Sequence, residues 1–265
     1  DTDSAILKFT RDGQFVGQIG KIGPSGGSND VTLLGKPADV QVDEANNEVF
    51  IADGYGNKRV IVFDAETLAY KRHWGAYGNK PDDTDLGPYN PNAPVPKQFR
   101  TPVHGVILAN DGLLYACDRT NNRIQVFKTD GTYLKETWVA KATLGDGAAF
   151  DVALSRDPQQ KYLYVADGSN MKVHILLRET LEELTTFGDG GRQPGNGGSV
   201  RGAPTRGHAR STALTSTNWR SPDAAIRIDR IVTIFDAAAM CGRRVASSSA
   251  ANWATALLAS GSSPQ

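Results

Sequence analysis

The feature that most constrains this chain is an internal repeat, because a repeated unit dictates architecture before any single residue does. The first full copy runs Pro37-Ala-Asp-Val-Gln-Val-Asp, then EVFIADGYGNKRVIVFD from Glu48 to Asp64, then LAYKRHWG to Gly75. The second runs Pro102-Val-His-Gly-Val-Ile-Leu, then LLYACDRTNNRIQVFKTDG from Leu113 to Gly131, then TYLKETW. The third runs FDVALSRD from Phe150, then YLYVADGSNMKVHILLRE from Tyr162 to Glu179, then LEELTTFG to Gly188. A partial copy, SAILKFTRDGQFVGQIG, spans Ser4 to Gly20.

Each full copy reads as four short strands. Apolar positions alternate among β-branched and aromatic residues, and Asp-Gly and Asn-Asn clusters mark the turns. Four antiparallel strands in a unit of roughly 40 residues define a propeller blade. The predicted fold is all-β, with about three and a half blades over 1–22, 36–75, 101–140 and 149–188. Propellers close with typically four to eight blades, so the open ends predict either part of a six-bladed ring or self-association through the exposed blade faces. Between the first two full blades lies a Pro-rich insertion over 76–99, carrying Pro81, Pro88, Pro91, Pro94 and Pro96. It reads either as a stiff surface excursion or as a lid near a binding mouth.

The repeat grammar covers 1–195 and then stops. Residues 196–265 hold fourteen Ala, ten Ser and eight Arg, with three Asp and neither Lys nor Glu, for a charge of +5. The first 195 residues carry 21 basic and 26 acidic side chains, so the formal net charge of zero is a cancellation between unlike parts. Such a tail composition is expected from out-of-frame reading of a GC-rich gene shortly after GDGGRQPG. Alternatively, Ser221-Pro222-Asp223 starts a helix that places Ile228, Ile231, Val232, Phe235 and Ala239 on one face. The tail is thus a helical or disordered non-propeller segment.

Several function classes are disfavoured. No apolar run approaches the roughly 18 residues of a membrane span. An overall charge of zero argues against nucleic-acid binding. Two cysteines, Cys117 and Cys241, make neither a disulfide framework nor a Cys-rich zinc site. The Gly-rich run from Gly188 to Gly202 lacks Gly-Lys-Ser/Thr and is no phosphate-binding loop. The chain opens at Asp1 without a Met or an apolar leader, which suggests leader removal or a segment of a longer protein.

Blade geometry picks out the candidate site. The start of an innermost strand and the end of the second strand share one face of the ring. Asp39, His104 and Asp151 are expected at equivalent starts of innermost strands, with Tyr55 and Arg119 just past the ends of second strands. All five should gather at one mouth of the central channel.

The run from Asp53 to Phe63, with its Asp, polar turn, Asn-x-Arg and apolar-x-Phe strand, resembles the NHL-repeat propellers, as does Asp118 to Phe127. Asp167 to Ile175 departs from the pattern, with Met171-Lys172 where Asn-Arg is usual. LGKPADVQVDEANNEVFIADGYGNKRVIVFD and KQFRTPVHGVILANDGLLYACDRTNNRIQVFKTDG are similar to the lyase domain of peptide-amidating enzymes, the peptidyl-α-hydroxyglycine α-amidating lyases. Those enzymes split a C-terminal α-hydroxyglycine into a peptide amide and glyoxylate, with zinc held by three histidines and calcium supporting the structure. The resemblance implies that His104 matches a zinc ligand, Tyr55 the active-site tyrosine and Arg119 the active-site arginine. It also implies a peptide or small carbinolamide ligand and a secreted or extracytoplasmic setting.

Those residue types suit the chemistry. A metal acidifies the hydroxyl of a carbinolamide, a tyrosine takes a proton, and an arginine fork holds a carboxylate. The chain also departs from the family. Gly35, Gly56, Tyr115 and Val126 stand where the family has disulfide-bonded cysteines, and only one of the three zinc histidines is matched. His208, in Thr-Arg-Gly-His, lies outside the repeats. Since catalytic zinc usually needs three protein ligands, a complete site is not expected from this chain alone. The other reading is a non-catalytic propeller that binds peptide or protein, with His104 a plain channel-mouth histidine and Tyr55 and Arg119 turn residues.

Overall fold

A computed structural model of the chain describes residues 4–188. The expectations for 196–265 lie outside the described residues. Strands β1 (Ala5–Phe9) and β2 (Phe15–Gly20) form a hairpin. Three four-stranded antiparallel meanders follow: β3 (Asp39–Asp43) to β6 (Tyr70–Trp74), β7 (Val103–Leu108) to β10 (Tyr133–Trp138), and β11 (Ala149–Leu154) to β14 (Glu183–Phe187). Between these ends lie β4 (Glu48–Asp53), β5 (Arg59–Asp64), β8 (Leu113–Asp118), β9 (Arg123–Lys128), β12 (Tyr162–Asp167) and β13 (Lys172–Leu177). Strand β7 runs beside both β3 and β11, so the innermost strands adjoin in order. This is the all-β propeller architecture that the repeats predict.

The period of two along each strand explains how the sheets stack. On β4, Val49 and Ile51 face the hairpin with Ile19 and Leu34, while Phe50 and Ala52 face the next blade. On β8, Leu114 and Ala116 look back toward β4, while Tyr115 and Cys117 look on toward β12. Leu163 and Val165 of β12 close that second interface. Phe50, Phe99 and Phe127 are fully buried between the first two full blades. Each such burial contributes roughly 1.5–3 kcal/mol.

The repeated Asp joins a loop, a turn amide and a buried arginine. Asp53 takes the Gly35 N–H at 2.7 Å, the Asn57 amide at 2.7 Å and the Arg59 guanidinium at 2.8 Å, with both charged side chains at zero exposure. Arg59 in turn donates to the carbonyls of Ser28, Asp30 and Leu33. Asp118 repeats the arrangement with Arg100 N–H, Asn121 and Arg123. In the last blade Lys172 occupies the Arg position, and His174 takes over the contact to Asp167 at 3.1 Å while also bonding Glu183 at 2.8 Å.

The four positions where the related cysteines would stand form two adjacent pairs. Gly56 N–H donates to the Gly35 carbonyl at 2.6 Å, and Tyr115 faces Val126 across β8 and β9.

The Pro-rich insertion is hydrogen-bonded to its surroundings at several points. Asp83 accepts both the Ser28 N–H and its hydroxyl, and Asn29 donates to the Pro81 carbonyl. The Tyr89 hydroxyl reaches the Lys141 carbonyl at 2.8 Å, and Arg123 holds the carbonyls of Pro96 and Gln98 at 3.2 Å. These bonds tie the insertion to the loop before β3 and to the second full blade.

Candidate functional site

Three sequence-predicted residues meet at one end of the blades. Tyr55 follows β4, His104 opens β7 and Arg119 follows β8. The Tyr55 hydroxyl lies 3.0 Å from His104 Nε2, and Arg119 Nη1 donates to that hydroxyl at 3.4 Å. Close backbone contact brings Tyr55 there. A Cβ on Gly54 would sit 2.0 Å from the Val103 carbonyl oxygen, so only glycine lets the end of β4 lie against the start of β7.

The strand register corrects the expected equivalence of Asp39, His104 and Asp151. Asp39 pairs with Ala52 and Asp151 with Ala166, and the residue that pairs with the corresponding Cys117 is Gly105. His104 is the extra residue of a bulge between Val103 and Gly105, and Phe150 is its counterpart between Ala149 and Asp151. A bulge re-aims a side chain, which is how His104 leaves the strand's alternation to meet Tyr55. Matching Val106 with Val40 and Val152 would have revealed this shift in the sequence. Asp39 and Asp151 flank the next level. Asp39 accepts the Val106 N–H at 2.9 Å, and Asp151 Oδ1 lies 2.7 Å from where a Gly105 Cβ would be. Burial, then Asp151 and Asp39, push the Cys117 thiol well above its ordinary pKa.

The His104 tautomer follows from its partners. Nδ1 lies 2.7 Å from the Phe150 carbonyl oxygen, which can only accept, so Nδ1 carries the proton. Nε2 is then the acceptor for the Tyr55 hydroxyl. Burial, and then the nearby Arg119 charge, lower the imidazole pKa to about 4, against the smaller opposing pull of the Phe150 carbonyl. At neutral pH His104 is an uncharged acceptor.

Arg119 is 5% exposed, and its guanidinium carbon stands 4.7 Å from the Phe150 ring centroid and 5.7 Å from that of Tyr55. Its Nη2 meets Asp146 at 3.4 Å, and its Nε is buried without a hydrogen-bond partner. The Asp146 side chain is 68% exposed, so this pairing is long and easily replaced by another carboxylate. Phe150 and Asp146 were not legible as site residues, because each acts through the blade that follows.

Among the described residues, no group of three His, Cys, Asp or Glu side chains stands together to hold a metal ion. One imidazole nitrogen does not fit the three-ligand zinc centre that the resemblance implies. Among the same residues, no helix is long and apolar enough to cross a membrane.

Stacked four-stranded antiparallel meanders define a β-propeller segment. Within that class, the chain is similar to the peptide-amidating enzymes. It is 33% identical over 102 residues to peptidyl-glycine alpha-amidating monooxygenase A of Xenopus laevis, covering 38% of this chain and 10% of that protein. It is 32% identical over 95 residues to the Mus musculus enzyme, covering 36% of this chain and 8% of that one. The Rattus norvegicus enzyme is 28% identical over 126 residues, or 43% and 12% of the respective chains. The matches thus take in about a tenth of these relatives' length. No family model matches. Similar solved structures include Kuenenia stuttgartiensis hydrazine synthase, at TM-score 0.42 and 18% identity over 62% of this chain and 39% of that one. The WD40 repeats of RRP9 score 0.39 at 12% identity, over 57% and 38%.

Proposed function

We propose that Tyr55, His104 and Arg119 form the acid–base and carboxylate-binding part of a site that splits a C-terminal α-hydroxyglycine into peptide amide and glyoxylate. The observation that carries this reading is the chain of contacts from Arg119 Nη1 through the Tyr55 hydroxyl to His104 Nε2. The similarity to amidating enzymes supports it, and with it the secreted or extracytoplasmic setting.

Arg119 takes the carboxylate of the terminal residue, displacing its long contact with Asp146. The carbinol hydroxyl then presents its proton to the Tyr55 oxygen as the phenolic proton moves to His104 Nε2. The hydroxyl electron pair becomes the carbonyl of glyoxylate, the carbon–nitrogen bond breaks, and the amide nitrogen recovers a proton through the same phenol. Docking of a carboxylate neutralises Arg119, which removes one of the causes that depress His104 and eases the transfer. Proton transfer by a positioned side chain contributes about 10²–10⁴-fold in rate.

The test incubates the full chain with a peptide ending in α-hydroxyglycine and measures glyoxylate and peptide amide together. Equimolar products above the protein-free rate, falling at least about 100-fold in Tyr55→Phe, support the reading. Product formation equal to the protein-free rate overturns it.

A second reading, a non-catalytic propeller that binds peptide termini, is favoured by the lack of a three-ligand metal group among the described residues. It predicts Arg119-dependent peptide binding without glyoxylate release.

A further inference from the structure

Phe150 belongs to β11 of the third full blade, yet its ring lies among site residues of the second. It is the extra residue of a bulge, so its side chain leaves the alternation of the strand as that of His104 does. Phe150 is 6% exposed; its ring centroid stands 4.7 Å from the Arg119 guanidinium carbon and 5.5 Å from the His104 ring. We propose that Phe150 is a positioning residue, whose ring face holds the Arg119 guanidinium in place while leaving its N–H donors for the ligand carboxylate. This inference rests on the reading of Arg119 as the carboxylate-binding group.

Arg119 differs from the buried arginines of the repeat. Arg59 commits its donors to Asp53, at 2.9 and 2.8 Å, and to three loop carbonyls. Arg123 does the same with Asp118, at 3.0 and 2.6 Å, the Tyr77 hydroxyl at 2.8 Å and two carbonyls. Arg119 is nearly as buried, but its Nη1 and Nη2 reach Tyr55 and Asp146 at 3.4 Å, beyond the ordinary range of about 2.7–3.2 Å. Its Nε has no hydrogen-bond partner. Short hydrogen bonds therefore do not fix the plane of this guanidinium. An aromatic face can, because a cation within about 6 Å of a ring centroid is attracted by the ring quadrupole, more strongly where water is excluded. Phe150 is the nearer of the two rings, since that of Tyr55 lies at 5.7 Å. A face contact uses no N–H, so the donors stay available to a carboxylate.

The ring in turn is set by the residue after β12. A Cβ on Gly168 would lie 2.9 Å from three Phe150 ring atoms, so the missing side chain there makes room for the ring. Gly168 follows Asp167 as Gly54 follows Asp53, and the same repeat position admits a backbone in one blade and a ring in another. A guanidinium held before binding loses little ordering entropy when its ligand arrives.

The experiment measures binding of N-acetyl-Gly-Gly to the full chain by calorimetry, with N-acetyl-Gly-Gly amide as the probe that lacks the carboxylate. The unaltered chain is compared with one carrying trifluorinated phenylalanine at position 150, which weakens the ring face at nearly constant volume, and with Phe150→Leu, which removes it. Affinity for the acid should fall in that order, by about 5- to 30-fold in all, while the amide binds weakly throughout. The Arg119 Nε–H resonance, shielded by the ring beside it, should return toward the ordinary arginine position in Phe150→Leu. Circular dichroism checks folding, and the fluorinated ring decides the outcome should Phe150→Leu unfold. Unchanged acid affinity across the series, with binding abolished by Arg119→Ala, overturns the role of Phe150 alone. A loss in Phe150→Leu without one for the fluorinated ring also overturns it, because packing would then explain the effect. Acid binding unaffected by Arg119→Ala, or equal affinity for acid and amide, overturns the site reading beneath it. Failure of the acid probe to bind overturns both.

Discussion

The Tyr55 hydroxyl and His104 Nε2 stand 3.0 Å apart although 49 residues separate them in the chain. The pair exists because a bulge turns His104 out of its strand and a glycine lets Tyr55 come up against it. The Phe150 carbonyl on Nδ1 sets the direction of the bond, with tyrosine as donor and histidine as acceptor.

His104 should titrate near pH 4 by NMR, and Arg119→Ala should move it upward by removing the second cause of the depression. The folded pKa lies below the unfolded one, so the unfolded chain binds the extra proton. Stability should therefore fall as pH drops from about 6.5 toward 4, by at most about 3 kcal/mol from this residue. A His104→Gln variant that keeps the same acid sensitivity would show that other groups cause it.

Gly54→Ala should pull the end of β4 away from β7, since its Cβ would meet the Val103 backbone at 2.0 and 2.3 Å. Loss of the Tyr55 contact should appear as a changed His104 ring resonance, together with a lowered melting temperature. An unchanged His104 resonance would mean that the two strands separate without disturbing the site.

Arg123→Met should destabilise the chain by about 3–5 kcal/mol, because it leaves Asp118 buried without its charge partner. Burial already raises the Asp118 pKa despite Arg123. Chemical denaturation of Arg123→Met beside the double variant Asp118→Asn/Arg123→Met measures the difference. The double variant should recover part of the loss.

His174 gives the last blade a pH dependence that the Arg-paired blades lack. Burial opposes its protonation, but hydrogen bonds to Asp167 and Glu183 outweigh that and raise its pKa above the ordinary value of 6.5. The folded state then binds the proton more tightly, so this contribution is complete below about pH 6.5 and is lost as pH rises through the folded pKa. Thermal melts across pH 6–9 should show a decline that His174→Gln flattens.

The fold was largely legible in the sequence because alternation and turn residues recur with each blade. The Asp53 and Asp118 motifs were visible as well, although their full role was not. Read locally, an Asp before a turn suggests a turn stabiliser. Only the assembled blades show that it holds the preceding loop through Gly35 or Arg100 and neutralises a buried arginine. The departure at Met171-Lys172 was also visible, but its consequence, His174 taking over the contact to Asp167, required strand register.

The site was legible in residue type and only partly in position. Blade geometry predicts that Tyr55, His104 and Arg119 meet at one mouth, and they do, whereas His104 lies one residue off the level of Asp39 and Asp151. A bulge adds one residue at the start of β7, so positions counted from the strand's first residue shift by one unless the strands are matched at Val40, Val106 and Val152. Asp146 and Phe150 carry no signal of their own, since an acidic turn residue and a strand phenylalanine are ordinary in any blade.

The sequence by itself determined the strands, their order and which face of each is apolar, because these follow from local geometry and a period of two. The tertiary structure alone decided which side chains meet, which imidazole nitrogen holds the proton and which charges are buried. Those properties depend on groups brought within a few ångströms from different blades, where desolvation and short-range hydrogen bonds act and sequence distance has no force.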